Sequence, residues 1–333
     1  MSDITAVSTV LLRPLEPLFV LGSQFYWPTY LGAAGVAAAL YAVRRKRGFR
    51  PRALIRHLLP ARMIRHRSTW LDFKIFLFAL IFLVVQLPVE VAVGVLTVRG
   101  VDGAFNLLLQ GSGETAGTPS LTVTAVMVVL TFLAIELGYW IAHFAMHRIP
   151  ALWEFHKVHH SAEVLTPLTE WRQHPVEFML FPIVIGAAMA AVKAPMLHVF
   201  GPRALLINPT ALIVTPFAFT VLHLRHSELP FCTTGWLGRL IQSPGHHQIH
   251  HSTNPAHHDR NLGFCLSVWD WAFGTLCIPE RGGRYDYGLG EYDRALQTLT
   301  GSMLAPFKRA TGRAFNGLLH PKRTRSPAVP TCL

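Results

Sequence analysis

Charge is scarce in this sequence: Asp, Glu, Lys and Arg make up only 14% of 333 residues, whereas 51% are hydrophobic. With a mean hydropathy of +0.35 and several apolar runs near bilayer-spanning length, that shortage argues against an ordinary soluble domain. Thiols are few as well. Cys232, Cys265, Cys277 and Cys332 are scattered without a C-x-x-C pair, so neither a disulfide framework nor a thiolate metal site is indicated, and they read as small hydrophobes. Acidic residues are missing altogether between Arg44 and Arg67, where ten Lys and Arg fall. The net charge of +12 raises nucleic acid as a partner, but no recognition motif for it is present. A basic block beside an apolar run is instead what the positive-inside rule expects of a cytoplasmic loop. Residues 1–20 lack a basic n-region followed by a clean apolar core and cleavage site, so no removable signal peptide is expected there.

What is abundant is apolar chain. Trp27–Val43, rich in Gly and Ala, reads as a first span. Phe73–Val98 reads as a second, interrupted by Pro88 and carrying Glu90, whose charge must face protein or water. The stretch GSGETAGTPS mimics a nucleotide-binding loop through Gly111, Gly113 and Gly117, but no strand precedes it, and an exposed loop is expected. Leu121–His147 is the third span and ends in histidines. Runs 178–192 and 204–223 carry Pro182, Pro209 and Pro216 and fit either a spanning hairpin or a re-entrant pair. The fold expected is all-α: an integral membrane helical bundle of about four to five spans or re-entrant helices, with a cytosolic, histidine-rich helical cap. Three segments follow: 1–68 with the first span and basic loop, 69–280 as the catalytic membrane domain, and 281–333 as a basic cytosolic tail. With the basic loop in the cytoplasm and the hairpin option, both histidine-rich regions return to one side.

Fourteen of the eighteen histidines fall in two windows, 143–174 and 223–258. His143 and His147 form H-x-x-x-H, and residues four apart share a helical face. His156, His159 and His160 form H-x-x-H-H, His247, His250 and His251 repeat it, and His223 and His226 add H-x-x-H. A single histidine is more often a hydrogen-bonded structural residue than a ligand. Ten at these spacings are another matter, because crowding so many protonatable rings without a metal costs desolvation and repulsion. Imidazole suits Zn, Fe, Cu and Ni alike, and ten rings exceed one coordination sphere, which argues for two ions. The Glu-x-x-His pair of soluble di-iron bundles and the H-E-x-x-H of zinc proteases are both absent. In a membrane the substrate expected is a lipid, and an unactivated C–H bond calls for iron and dioxygen rather than a redox-inert Lewis acid.

The stretches YWIAHFAMHRIPALWEFHKVHHSAEVLTPLTEWRQHPVE, HLRHSELP, SPGHHQIHHS and DRNLGFCLSVWDWAFGTL together resemble the fatty acid hydroxylase/sterol desaturase superfamily, in a bacterial-type form, over roughly positions 70 to 280. The resemblance implies a di-iron centre that uses O2 and externally supplied electrons to hydroxylate or desaturate a membrane lipid. It maps the metal ligands onto His143, His147, His156, His159, His160, His223, His247, His250 and His251, with His226 as a further candidate and His246 as a neighbour. No catalytic residue is expected beyond these ligands. His174, with Arg172 and Glu177, matches the family's R-x-H-P-x-E stretch and is expected to support the ligands. Glu136, two helical turns before His143, is expected to accept a ligand's second ring N–H. Asp259 and Asn261 are expected to order the loop after the last ligand helix, and Trp269 and Trp271 to anchor an amphipathic membrane-facing helix ending at Gly274.

No flavin or nicotinamide fingerprint is present, so a separate ferredoxin- or cytochrome-type reductant is expected, for which the Arg44–Arg67 block offers a docking site. The location expected is the bacterial inner membrane with the site on the cytoplasmic face. Fatty acyl and ornithine-lipid-type substrates are favoured over sterols by the compact length. Two other classes compete: a zinc-dependent lipid hydrolase, which would turn over without oxygen, and a metal transporter, which would place its ligands at mid-membrane.

Overall fold

The computed structural model describes residues 27–44, 50–58, 60–109, 119–200, 222–229 and 231–319. Among these residues the fold is helical and without strands; only the isolated bridges Ile241 to Leu266 and Ser252 to Tyr287 occur. In chain order the helices are α1 (Trp27–Arg44), α2 (Pro51–Leu58), α3 (Ala61–Ile64), α4 (Arg67–Leu109), α5 (Leu121–Arg148), α6 (Pro150–His160), α7 (Pro175–Phe200), α8 (Gly235–Leu240), α9 (Pro244–His250), α10 (Val268–Ala272) and α11 (Leu299–Leu319).

Leu121–Arg148 and Pro175–Met196 are long and apolar enough to cross a membrane. Only 11% of the most apolar window of the latter is buried inside the molecule, which separates it from the core helix of a soluble protein. The prolines behave differently from the sequence expectation. α4 continues through Pro88 and α7 through Pro182 and Pro195, as apolar helices can when neighbours re-satisfy the freed carbonyls. The expected run 204–223, up to position 221, and the glycine-rich loop, up to position 118, lie outside the described residues, as does residues 45–49 of the basic block. The side chain of Glu90 lies outside them too.

α7 packs against both α4 and α5. At the α5 crossing a Cβ on Gly138 would sit 2.8 Å from the Cα of Ile185, so only glycine admits this backbone approach. The turn from α5 into α6 is set by Ile149, whose φ of −91° and ψ of 113° are those of a residue pushed out of the helical region by the following proline. Pro150 then starts α6 at the position where a missing N–H costs nothing.

Beneath that corner Met146, Phe155 and Ala310 form a core with Val176, Leu180 and Phe181, tying α11 to α5, α6 and α7. Within the segment 281–333, expected as a tail, α11 is folded against α6, because its apolar face has a partner there. Residues 320–333 lie outside the described residues. A second core joins Leu71 and Ile75 of α4 to Val158 and Leu296. Beside it Arg172 and Asp72, both fully buried, pair at 2.8 Å. The same guanidinium donates to the carbonyl of Val158 at 2.9 Å and to Ser161 Oγ at 2.8 Å, fixing the end of α6 to α4.

Candidate metal centre

Four elements deliver imidazoles to one place. α5 carries His143 and His147, α6 carries His156, His159 and His160, the segment after the Leu222–Leu224 turn carries His226, and α9 carries His247 and His250 with His251 at its C-cap. They form two groups. His143, His147, His156, His160 and His250 make the first; His159, His226, His247 and His251 make the second, and within each group one ligand atom per residue lies within 4.8 Å of all the others.

The outer nitrogens of the first group are engaged. Nδ1 of His143 donates to the Leu262 carbonyl at 2.8 Å, Nδ1 of His250 to the Arg260 carbonyl at 2.8 Å, Nδ1 of His156 to Glu177 Oε2 at 2.7 Å, and Nδ1 of His147 to Asp259 Oδ1 at 3.3 Å. Each acceptor keeps the proton on Nδ1 and leaves the Nε2 lone pair pointing inward. Nε2 of His147, His160 and His250 is buried without a hydrogen-bond partner. His143 and His156 bring their Nε2 atoms to 3.1 Å of each other, where with both protons on Nδ1 neither can donate. Converging lone pairs without a donor fit a cation and fit no internal hydrogen-bond network.

In the second group the Nε2 atoms of His159 and His226 are 3.2 Å apart, those of His226 and His247 2.7 Å, and those of His247 and His251 3.0 Å. The outer nitrogens there are less well held. Among the described residues Nδ1 of His226 and His251 has no partner, and Nδ1 of His247 faces Arg225 Nη2 at 3.4 Å.

Burial, followed by the neighbouring imidazoles, holds His156, His160 and His251 well below the ordinary histidine range. For His159 burial and the charge of Arg225 bring the value down to about 3. These rings are neutral at pH 7, as metal ligation requires. A cavity of about 320 Å³ bounded by Trp153, Ser252, Asp259 and Leu289 opens onto His147, His160 and His250, so small molecules can reach the first group.

Nine of the ten histidines expected as ligands are thus brought together. His223 is not: it stacks on Tyr30 at 3.8 Å, its Nε2 lies 2.7 Å from Thr29 Oγ1 and its Nδ1 3.4 Å from Glu170. Its partner in the H-x-x-H pair, His226, takes the other face of the same short segment. Glu136 also differs from expectation. It accepts the backbone N–H groups of Cys265 and Leu266 at 3.0 and 2.9 Å rather than a ring N–H, because seven residues of helix place it about 10 Å along the axis from His143.

His174 acts through Glu177, to whose Oε1 its backbone N–H donates at 3.1 Å, while its ring faces the Met303 carbonyl at 3.1 Å. Asp259 touches His147 as described, and Arg148 donates to its other oxygen at 3.0 Å. Asn261 holds the loop to the Cys277 backbone at 2.7 and 2.8 Å and to the His246 carbonyl at 3.0 Å. Both Asp259 and Asn261 have positive φ, 57° and 54°, which Asp and Asn tolerate better than most residues. His246 bonds Ser243 and the Gly238 carbonyl, outside both groups.

Sequence reasoning missed Asp270. Fully buried in α10 between two tryptophans, it accepts from Trp140 Nε1 at 3.1 Å, Gln242 Nε2 at 2.8 Å and the N–H groups of Leu262 and Gly263 at 2.8 Å each. It thereby positions the carbonyl that holds His143. A carboxylate inside an aromatic, interfacial stretch was the available signal. Trp271 and Phe273 are exposed beside it, consistent with an amphipathic α10.

The fatty acid hydroxylase family model matches residues 128–275, the stretch that contains all nine converging histidines. Over that stretch the chain is similar to the fatty acid hydroxylase family. The chain is 33% identical over 162 residues to an alkylglycerol monooxygenase of Danio rerio, covering 48% of this chain and 32% of that protein. It is 30% identical over 154 residues to the Xenopus tropicalis alkylglycerol monooxygenase, covering 46% and 30%. An ornithine lipid hydroxylase of Rhizobium tropici is 30% identical over 165 residues, covering 50% of this chain and 46% of that protein. The matched stretch therefore spans less than half the length of each of these relatives. No solved structure matches. The family is one of membrane-associated, non-haem iron oxygenases, in keeping with the apolar helices and the imidazole clusters.

Proposed function

We propose that this chain is a membrane-bound lipid hydroxylase or desaturase whose two histidine groups each hold one iron ion. The observation that carries the reading is the convergence of nine imidazoles into two groups, the first with the Nε2 atoms of His147, His160 and His250 unpartnered and the second with its Nε2 atoms 2.7–3.2 Å apart. Iron bound there would supply dioxygen activation and the oxidation of an unactivated C–H bond. The protein's own part is positional. The carbonyls of Leu262 and Arg260 and the carboxylates of Glu177 and Asp259 fix four Nδ1 protons, and burial keeps the rings neutral.

The substrate is a membrane lipid, of fatty acyl or ornithine-lipid type, reaching the site from the bilayer. The named activities of the relatives, on alkylglycerols and on an ornithine lipid, support that class. Electrons come from a separate ferredoxin- or cytochrome-type protein. The site faces the cytoplasm from a bacterial inner membrane, which the basic block after α1 supports.

The test supplies iron-loaded protein in membranes with a reductant, a lipid extract and oxygen-18 gas, and reads lipid masses. One lipid class should gain labelled oxygen, or lose two hydrogens. Zinc on metal analysis together with oxygen-independent turnover would transfer the site to the hydrolase class.

A further inference from the structure

Residues 222–229 form a wall with two faces. On one, Arg225 donates to Tyr139 at 3.0 Å and His226 meets His159 and His247. On the other, His223, Leu224, Ser227 and Leu229 line a cavity of about 460 Å³ whose opposite side is α1. That volume lies within the roughly 300–1,000 Å³ of ordinary small-molecule sites. The wall from α1 combines Tyr30 with the small side chains Ala33, Ala34 and Ala37, so the space is apolar where the alanines of α1 run beside it.

One end of the cavity is charged. Arg56 of α2 and Arg62 of α3 stand there with Glu228. Arg62 pairs with Glu228, which, among the described residues, leaves the exposed Arg56 as the uncompensated cation of this lining. Arg52, one helical turn earlier and also exposed, adds to the same face of α2. A short amphipathic helix with a basic face lies in the headgroup layer.

We propose that this cavity holds one acyl chain of an anionic membrane phospholipid, with its phosphate at Arg56, as a site separate from the histidine nitrogens. The alanines of α1 and the side chains of Leu224 and Leu229 enclose the chain. Arg56 selects the headgroup, because a zwitterionic lipid offers it no net charge. An occupant also presses on the wall that presents His226 on its far face, so lipid binding and the second histidine group are mechanically joined. The site rests on the membrane-lipid setting of the proposed function, but not on its chemistry.

The test is native mass spectrometry of the purified full chain after equilibration with an equimolar mixture of phosphatidylglycerol and phosphatidylcholine. The parent should retain one phosphatidylglycerol per chain. Ala34→Phe, which fills the cavity from an exposed position of α1, should abolish retention. Arg56→Gln should lower the preference for phosphatidylglycerol about fivefold, the factor one basic residue contributes near an anionic headgroup.

Equal retention of both lipids by the parent, or unchanged retention by Ala34→Phe, overturns the site. Should Ala34→Phe fail to fold, the surface variant Arg56→Gln decides alone, and an unchanged preference overturns the assignment. Because lipid retention is read without turnover, its failure and a failure of the oxygen-18 experiment are distinguishable.

Discussion

Glu177 Oε2 lies 2.7 Å from His156 Nδ1, with 1% and 3% of the two side chains exposed. The contact joins the start of α7, a membrane-length helix, to the middle of α6, so the same carboxylate that begins one helix fixes a ring on another. Its second oxygen takes the backbone N–H of His174, and no further donor is needed. Glu177 therefore does for His156 what the Leu262 carbonyl does for His143 and Asp259 for His147.

Replacing Glu177 by Ala should lower the affinity of the first histidine group for metal by about 10–100-fold, the usual cost of losing a partner behind a ligating histidine. Glu177→Gln keeps an acceptor oxygen for the ring and should recover part of the loss. Competition with a chelator, read by metal content of the recovered protein, measures both. Equal affinity in parent and Ala variant would remove Glu177 from this role.

The two groups differ in how their outer nitrogens are held, and the difference should be visible when metal is removed. Four rings of the first group have protein acceptors behind them, whereas, among the described residues, Nδ1 of His226 and His251 has none. Chelator titration should therefore extract metal in two phases, the second group emptying first. Spectroscopy on protein caught after half of the metal is gone should report the first group occupied. A single phase would mean that the outer contacts do not control affinity.

Much of this centre was legible in the sequence because ligands on a helix leave a periodic signature: H-x-x-x-H and H-x-x-H-H put the rings on one face whatever packs against it. His223 carries the same spacing to His226 and yet faces away, since the described turn around it, Leu222–Leu224, is a 3-10 turn rather than a continuing α-helix. Spacing cannot report that change of pitch. Glu136 failed for a related reason: its angular position was right and its height along the axis was wrong. Asp270 and Arg225 act through contacts with segments more than twenty residues away, or seven and eight in the case of Gly263 and Leu262, and no local pattern encodes those. Proline misled in the other direction, reading as an interruption at Pro88 and Pro182 where the helices run on.

The ionic link between α11 and the loop before it should respond to acid. Hydrogen bonds from Arg309 hold the carboxyl of Asp293 below its ordinary range, with Nη2 to Oδ1 at 3.0 Å. A carboxyl whose folded value lies below the unfolded one, about 3.9, stabilises the fold above that pH and loses the contribution as pH falls through the folded value. The pair is partly exposed and screened, so its worth is at most about 1 kcal/mol. Thermal unfolding followed from pH 6 downwards should show an extra loss in the parent below pH ~4 that Asp293→Asn lacks.

The buried pair of Asp72 and Arg172 should be the more severe point of failure. Arg172→Met removes the hydrogen bonds to Val158 and Ser161 as well as the partner of Asp72, and leaves a carboxylate fully enclosed between α4 and α6. Breaking a buried pair from one side costs about 3–5 kcal/mol, and the loss falls on the end of the helix that carries His156, His159 and His160. Reduced thermal stability should therefore be accompanied by weaker metal retention. Asp72→Asn keeps a polar group facing Thr169, which bonds the present carboxylate at 2.7 Å, and still leaves Arg172 its other acceptors, so it should be milder than Arg172→Met. If Arg172→Met melts with the parent, the guanidinium does not tie α6 to α4, and the position of the H-x-x-H-H face must be set by the apolar contacts of Phe155 and Val158.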